Sequence, residues 1–281
     1  MSQEKQEKTL LKPKNDIGFQ CLFNQNNERI TRAFVQALLD EKIDKIVINN
    51  DKDLFRNTPD NKLGILDLQL DINDNEKVDV EIQLINNDNL QERLLYYFSK
   101  LYSSQIHRGD NYRDSKRIIL VAILDYEFNL TKELKEFETI WKLCETKNPE
   151  KIFTDKVEIH IIELNKVRNT YEQNKENKKA QWMLFLDDPN SKEVQEIMKE
   201  NEYVKEAVVE VHKMTEDEKL KRLADLRQKA IMDEKSYYET GLKHGEKKKS
   251  LEIAKELLKT GMSKEEVAKI VQLDIKELEN I

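Results

Sequence analysis

The sequence predicts an α/β fold in which a mixed central sheet is flanked by helices and followed by a charged helical region. Two continuous aliphatic runs, 117–124 and 157–164, have the length of strands that are covered on both faces. Residues 28–39 and 91–105 repeat apolar side chains at the spacing of amphipathic helices. Buried strands between such helices are typical of a mixed α/β sheet.

The other elements follow from the same periodicities. The sequence predicts a short capped helix at 15–23 and a strand or extended link at 44–49. It also predicts a helix at 130–145 that buries Trp141 and Cys144. Cys21 is expected in the core. From about residue 171 the chain is helical and charged, and residues 194–238 are expected to be solvated helices with mixed charge pairs.

The composition limits the class of protein. The 281-residue chain is 38% hydrophobic and 37% charged, which suits one globular domain with appendages. The formal net charge of -7 argues against non-specific DNA binding but is compatible with a local basic channel. Cys21 and Cys144 form neither a disulfide framework nor a zinc motif, so a cytoplasmic location is expected. The sequence contains no apolar run of membrane-spanning length and no signal-like N-terminus, so we expect no membrane partner.

We expect four segments along the chain: a disordered lead (1–12), a core domain (13–190), a charged helical extension (191–242), and a linker with a small tail (243–281). Residues 241–249, rich in Gly, Lys and Glu, are expected to form a linker, and Ser263 with Glu266 predicts a capping box. The tail has a helix-turn-helix shape. Its balanced Lys and Glu content favours simple packing of the helices, or a homodimer through the C-terminal helices, over recognition of DNA.

The most informative feature is a pair of neighbouring segments, 65–70 and 78–84, that alternate apolar and polar residues with a period of two. The polar stretch 71–77 between them has the Asn and Asp residues of a hairpin loop. The sequence therefore predicts two antiparallel strands.

Acidic residues occur on both predicted strands. Asp79, Glu81 and Gln83 share one face of the second strand, and Asp67 interrupts an apolar run in the first. Acids that meet beside an apolar layer are costly unless a cation lies between them, so the pattern indicates a metal-dependent hydrolytic site. The alternative is that these residues form the solvated side of the hairpin, and spacing alone leaves both interpretations open.

The predicted helix 91–105 follows the hairpin and supplies further candidates. Arg93, Tyr97 and Lys100 fall at four- and three-residue steps, so they share a face of this helix. Packing in the core is expected for Tyr96. The four histidines are scattered without ligand spacing, so we assign them no chemistry.

Several separate motifs follow one another along the chain: Lys14-Asn15-Asp16, Phe19, Leu22-Phe23, Ile65-Leu66-Asp67, Val80-Glu81-Ile82-Gln83, Arg93, Tyr96-Tyr97, Ser99-Lys100-Leu101-Tyr102, Gln105, Gly109 and Tyr112. Taken in order, these motifs resemble the Rpn family of recombination-promoting nucleases, also described as PD-(D/E)XK nuclease family transposases. The likeness covers roughly residues 11–190. It implies a restriction-endonuclease-like PD-(D/E)XK core and Mg²⁺-dependent DNA cleavage, linked to recombination, mobile elements or defence against phage.

The resemblance also implies roles for individual residues. Asp67 and Glu81 are the metal-binding acids, and the backbone carbonyl of Ile82 is a further candidate ligand for Mg²⁺ or Mn²⁺. Gln83 stands where the wider superfamily usually has lysine; it can orient a water but carries no positive charge. Lys100 or Arg93 could supply that charge to the scissile phosphate.

Four expectations leave alternatives open. Tyr97 and Gln105 either touch substrate or support the site. Asp16 is either an extra acid of the site or the cap of the first helix. Asp79 is either a neighbour of the metal or, as we favour, an exposed acid. For the function, the alternative to a nuclease is a weak or inactive nuclease-fold module that binds DNA or assists assembly, because Gln83 replaces the lysine.

Overall fold

The structure is a computed structural model that describes residues 10–49 and 68–278. Within these residues, six strands are present: β1 (Ile46–Ile48), β2 (Leu68–Ile72), β3 (Glu76–Gln83), β4 (Arg117–Leu124), β5 (Glu138–Lys142) and β6 (Val157–Glu163). The same residues form the helices α1 (Asp16–Leu22), α2 (Glu28–Leu39), α3 (Leu90–Ser103), α4 (Val167–Gln173), α5 (Lys178–Asp187), α6 (Lys192–Glu200), α7 (Glu202–Glu216), α8 (Glu218–Lys259) and α9 (Lys264–Val271).

All six strands belong to one mixed sheet, in the order β1-β2-β3-β4-β6-β5. The first three strands pair antiparallel, β3, β4 and β6 run parallel, and β5 pairs antiparallel with β6 at an edge. The pairing of β3 with β4 aligns Gln83 with Leu124, so the carboxyl ends of both strands lie at the same edge. The predicted fold class, a mixed sheet flanked by helices, is confirmed.

The hairpin of β2 and β3 is tighter than predicted. Only residues 73–75 connect the two strands, and Asn73 and Asp74 adopt the left-handed backbone that Asn and Asp tolerate best. The register places Gln69 opposite Asp79 and Leu68 opposite Val80. The predicted strand residues 65–67 lie outside the described residues.

Strand β4 separates two apolar clusters, which explains its continuous aliphatic sequence. One face contributes Ile119, Val121 and Ile123 to the larger cluster. The other face packs with α3 in a smaller cluster. The larger cluster contains the aromatic side chains Phe19, Phe23, Phe34, Trp182 and Phe185. The predicted buried strands at 117–124 and 157–164 are therefore confirmed.

The first helix and the residues before it are fixed to this core. The Asn15 side chain caps α1 by accepting a hydrogen bond of 3.1 Å from the Ile17 N–H. Leu10 and Leu11 are buried, and the Leu11 N–H donates to Thr215 Oγ1 at 3.0 Å. Of the expected disordered lead, residues 1–9 lie outside the described residues.

Helices α6 and α7 bury one face in the larger cluster, so the solvated helices expected over 194–238 are only half solvated. Their buried residues are Val194, Ile197, Val204, Ala207, Val208, Val211 and Met214. The chain divides into two compact units, Met1–Arg227 and Gln228–Ile281, and the division falls within α8. The predicted segment bounds at 190 and 242 stay a prediction.

The predicted helix at 130–145 is wrong, because the structure has the edge strand β5 there. Trp141 is 39% exposed and Cys144 is exposed, whereas both were expected to be buried. The β-branched and aromatic residues Thr139, Ile140 and Trp141 favour a strand, and pairing with β6 provides the partner. Since β5 lies at the sheet edge, part of its surface remains in contact with solvent.

The second unit shows a further difference. Helix α8 continues through residues 241–249, so the segment expected to be a linker is helical. Lys and Glu are good helix formers, and the helix tolerates Gly241 and Gly245 at a cost of roughly 1 kcal/mol each. The predicted capping box at α9 is confirmed: the Ser263 N–H donates to Glu266 Oε2 at 3.1 Å, and the Glu266 N–H donates to Ser263 Oγ at 3.3 Å. No helix among the described residues is long and apolar enough to span a membrane.

A network of charged groups fixes the amino-terminal half of the parallel strands. Arg117 donates to Glu76 and Glu158, each at 2.8 Å. The two ring nitrogens of His160 lie 2.8 Å from Glu158 and Glu138. Burial favours the neutral form of Glu158, but hydrogen bonds from Lys142, Arg117 and His160 outweigh it and lower the pKa of this carboxyl from 4.5 to about 2.

This lowered pKa predicts an acid-sensitive contribution to stability. A carboxyl with a depressed folded-state pKa stabilises the protein above its unfolded pKa, and that stabilisation is lost as the pH falls through the folded value. The loss of unfolding free energy in Glu158→Gln should therefore be largest above about pH 5 and shrink toward pH 2. Urea unfolding across this range measures it, with the exposed Glu133→Gln as control. A pH-independent difference between wild type and Glu158→Gln would contradict the assignment.

The continuous helix α8 yields a second prediction. A Cβ added at Gly241 or Gly245 meets no atom within 4 Å. Each substitution to Ala should therefore stabilise the helix by about 0.5–1 kcal/mol. Thermal unfolding followed by circular dichroism measures the change. Gly109→Ala is the control, because its site is equally open but its φ of +100° strains an L-residue. A flexible linker at 241–249 would instead leave both Ala variants neutral.

Candidate active site

The acidic face of β3 is buried. Asp79 and Glu81 lie on the same face of the strand, and each is only 4% exposed. Within the described part of the chain, Asp79 Oδ1 and Glu81 Oε2 are buried without a hydrogen-bond partner. The interpretation of these acids as the solvated side of a hairpin is therefore wrong, and so is the expectation that Asp79 is exposed. Helix α3 covers this side of the sheet, which the local sequence does not reveal.

Burial and proximity change the protonation of both acids. Burial and, to a smaller extent, the negative charge of Glu81 together raise the pKa of Asp79 to about 7, against an opposing effect of the Gln69 side chain. Burial also raises the pKa of Glu81, and this rise is opposed by the charge of Arg93 and by hydrogen bonds from Tyr97 and Arg93. Two neighbouring carboxylates in such a place can both ionise only if positive charge is supplied.

Arg93 of α3 supplies part of that charge. Its guanidinium donates to Gln83 Oε1 at 2.7 Å and to Glu81 Oε1 at 2.5 Å. It also donates to the Tyr97 hydroxyl at 3.2 Å and lies 5.7 Å from the centre of that ring. The structure thus brings together Glu81, Gln83, Arg93 and Tyr97, four of the predicted site residues, in one hydrogen-bonded group.

Other predicted site residues lie elsewhere. Gln105 accepts a 2.8 Å hydrogen bond from the Lys116 N–H, at the amino end of β4. Asp16 forms an ion pair with Arg227, and Asn15, not Asp16, is the capping residue of α1. Both observations point to structural roles, because neither residue contacts the Glu81 group among the described residues.

The structure does not decide the predicted roles of three further residues. Lys100 is exposed, one turn of α3 beyond Tyr97. The side chain of Ile82 packs against the larger apolar cluster, on the opposite face from Glu81. Asp67 lies outside the described residues. The expectation that Tyr96 packs in the core is wrong, because its side chain is 60% exposed.

One residue beside this group had no assigned role in the sequence. Lys14 forms ion pairs of 2.8 Å with Asp125 and Asp187. The Asp125 N–H donates to the backbone oxygen of Gln83 at 2.9 Å, so this cluster lies at the carboxyl ends of β3 and β4. The available signal was the position of Lys14 within the motif Lys14-Asn15-Asp16, which carries part of the family resemblance.

A family comparison now adds to the geometry. A family model described as PD-(D/E)XK nuclease family transposase matches residues 13–241, well over half of the chain. The chain belongs to this family. A search of curated proteins finds no match, and a search of solved structures finds none either. The predicted resemblance is confirmed, and family membership supports a nuclease-like function.

PD-(D/E)XK nucleases generally use divalent metal ions, so the fit of the residues to such an ion matters. Across residues 10–49 and 68–278, no group of three or more His, Cys, Asp or Glu side chains is arranged to hold a metal. The pair Asp79 and Glu81 nevertheless offers two buried carboxylate oxygens that have no partner among these residues. Mg²⁺ prefers oxygen ligands and retains several waters, so one or two carboxylates are an adequate protein contribution.

The ion pair of Arg93 and Glu81 makes a testable contribution to stability. In Arg93→Met the buried Glu81 carboxylate loses its cation, and the free energy of unfolding should fall by about 2 kcal/mol. Glu81→Gln in the same chain should recover part of this loss, because the uncompensated charge is gone. Urea unfolding without added metal measures the double-mutant cycle.

Lys100→Met is the matched control for this cycle. It removes an exposed cation from the same helix and should change stability by less than about 0.5 kcal/mol. A coupling energy near zero between Arg93 and Glu81 would contradict the interpretation of their contact as a stabilising pair.

Proposed function

We propose that this protein is a metal-dependent DNA endonuclease that hydrolyses phosphodiester bonds, with Mg²⁺ as its ion and Mn²⁺ as a substitute. The observation that carries the proposal is the pair of buried carboxylates on β3, beside Gln83 and Arg93, in a chain of a nuclease family. Each carboxylate has one oxygen without a partner in the described part of the chain. Buried acids of this kind lower stability unless a cation binds them, which is expected of a site selected for function.

In this proposal Glu81 and Asp67 are the principal ligands of the ion, and the Ile82 carbonyl is a further one. The register of the hairpin supports the pairing of the two acids, because Leu68, the chain neighbour of Asp67, lies opposite Val80, the neighbour of Glu81. A bound divalent ion lowers the pKa of a water molecule and neutralises charge that develops on the phosphate.

Arg93 takes the role that lysine has in the wider superfamily. Gln83 carries no charge, but its side-chain oxygen accepts a hydrogen bond from Arg93 at 2.7 Å. This contact holds a positive charge beside the position where the lysine would lie. A guanidinium can bind two oxygens of a phosphate at once, so Arg93 is suited to stabilise the scissile group.

Residues around this group have supporting roles in the proposal. Tyr97 orients Arg93 through its hydroxyl, and the exposed Lys100 contacts the DNA backbone on the same side of α3. The family description supports a link to recombination or mobile elements. Defence against phage, a cytoplasmic location and a homodimer through the C-terminal helices stay predictions.

A second candidate function has one specific observation in its favour. Arg93 already neutralises one oxygen of Glu81, and Gln83 replaces the usual lysine, so the fold could serve as a DNA-binding or assembly module with little catalysis. This candidate predicts DNA binding without metal-dependent cleavage.

Nicking of supercoiled plasmid with Mg²⁺ or Mn²⁺ distinguishes the two functions. Wild type should cleave, and Asp67→Asn and Glu81→Gln should each lose at least about 100-fold in rate, since each removes a ligand of the ion. Asp71→Asn is the matched control: Asp71 shares the hairpin but its carboxylate is paired with Lys77 and Lys116. Its rate should stay within about threefold of wild type.

The possible outcomes distinguish the endonuclease from the assembly module. Cleavage that survives chelation of the metal, or that Glu81→Gln retains, would overturn the endonuclease assignment at this site. DNA binding by the wild-type protein with no cleavage in either metal would favour the assembly module.

A further inference from the structure

The two buried acids of β3 each have an oxygen without a partner among the described residues. One oxygen of Glu81 accepts a hydrogen bond from Arg93 at 2.5 Å, and its other oxygen, Oε2, is buried without a partner. Asp79 lies directly opposite Gln69 of β2, and its Oδ1 is likewise buried without a partner. Each carboxylate therefore has one buried oxygen available to a ligand.

The described cations on this face of the hairpin pair with residues other than Asp79. Lys77, two residues earlier on the same face, binds Asp71 at 3.1 Å. Lys116 binds the same carboxylate at 2.8 Å. Arg93 is directed to Glu81 and Gln83. Within the described residues Asp79 thus has no cationic partner, although its carboxyl is almost fully buried.

We infer that Asp79 is a ligand of the same divalent cation as Glu81, which it binds through Oδ1, while Glu81 uses Oε2. The inference rests on the proposed function and adds a protein ligand beyond Asp67, Glu81 and Ile82. A hard cation satisfies both free oxygens at once and removes the repulsion between the two carboxylates. A buried acid without a partner otherwise has a large desolvation cost and no compensating interaction.

This assignment gives the two carboxylate oxygens of Glu81 different partners. Oε1 would continue to accept the hydrogen bond from Arg93, and Oε2 would bind the ion. Arg93 therefore keeps its contact with Gln83 when the ion binds, and the guanidinium remains beside the position of the scissile phosphate.

Binding of Mn²⁺ to the full chain without DNA tests the inference independently of cleavage. Isothermal titration, with electron paramagnetic resonance to count bound Mn²⁺, is applied to wild type, Asp79→Asn, Glu81→Gln and the control Asp71→Asn. Asp79→Asn should bind Mn²⁺ at least about tenfold more weakly than wild type, as Glu81→Gln should, and Asp71→Asn should match wild type. Mn²⁺ should also raise the melting temperature of wild type more than that of Asp79→Asn.

Folding of the variants is checked in the same samples by thermal unfolding without metal. Asp79→Asn keeps the shape of the side chain and removes a buried charge, so it should be at least as stable as wild type. Asp79→Ser, a second variant, should show the same loss of Mn²⁺ affinity if the carboxylate is the ligand.

The results that would overturn the inference are specific. Wild-type affinity in Asp79→Asn, together with loss in Glu81→Gln, would show that Asp79 is a structural acid and would leave the proposed endonuclease standing. Absence of Mn²⁺ binding by wild type would overturn both. Metal-dependent nicking by an Asp79→Asn protein of unchanged Mn²⁺ affinity would assign the site to Glu81 and Asp67 alone.

Discussion

The chemistry of this protein depends on the covering of one face of β3, because burial gives two ordinary acids a need for a cation. On an open sheet, Asp79 and Glu81 would be hydrated and would cost little. On the side of the sheet where α3 packs they lose water and repel each other, and each keeps one oxygen without a partner among the described residues. Arg93, on the same helix, compensates part of this negative charge. Helix α3 therefore both buries the acids and supplies part of the positive charge that they need.

The charged groups of the sheet differ sharply between its two ends. At the amino ends of the parallel strands, Glu76, Arg117 and Glu158 form a closed network in which each charge has a partner. Further along β3, the acids are only half satisfied. A closed network fixes strands in place and offers nothing to a ligand, whereas half-satisfied carboxylates keep binding capacity. This contrast locates the candidate active site better than the number of acids does.

Much of the fold could be predicted from local pattern. Helices α2 and α3 and strands β4 and β6 each carry an apolar periodicity that one secondary structure buries well. The shared face of Asp79, Glu81 and Gln83 follows from the alternation of side chains in a strand. The site was predicted less well: Glu81, Gln83, Arg93 and Tyr97 come together, but the burial of Asp79 and the position of Gln105 at the other end of β4 were not foreseen.

The sequence by itself determined the family, through several motifs that follow one another in order along the chain. It also determined the acidic strand and the helix that follows it, because the periodicity of each is local. Only the tertiary structure decided that the acidic face is covered and that residues 138–142 form an edge strand. The strand needs β6 as its hydrogen-bonding partner, and the covered face needs α3 packed against β4. Contacts between distant segments outweigh local preference in such places, and a periodicity of side chains cannot encode them.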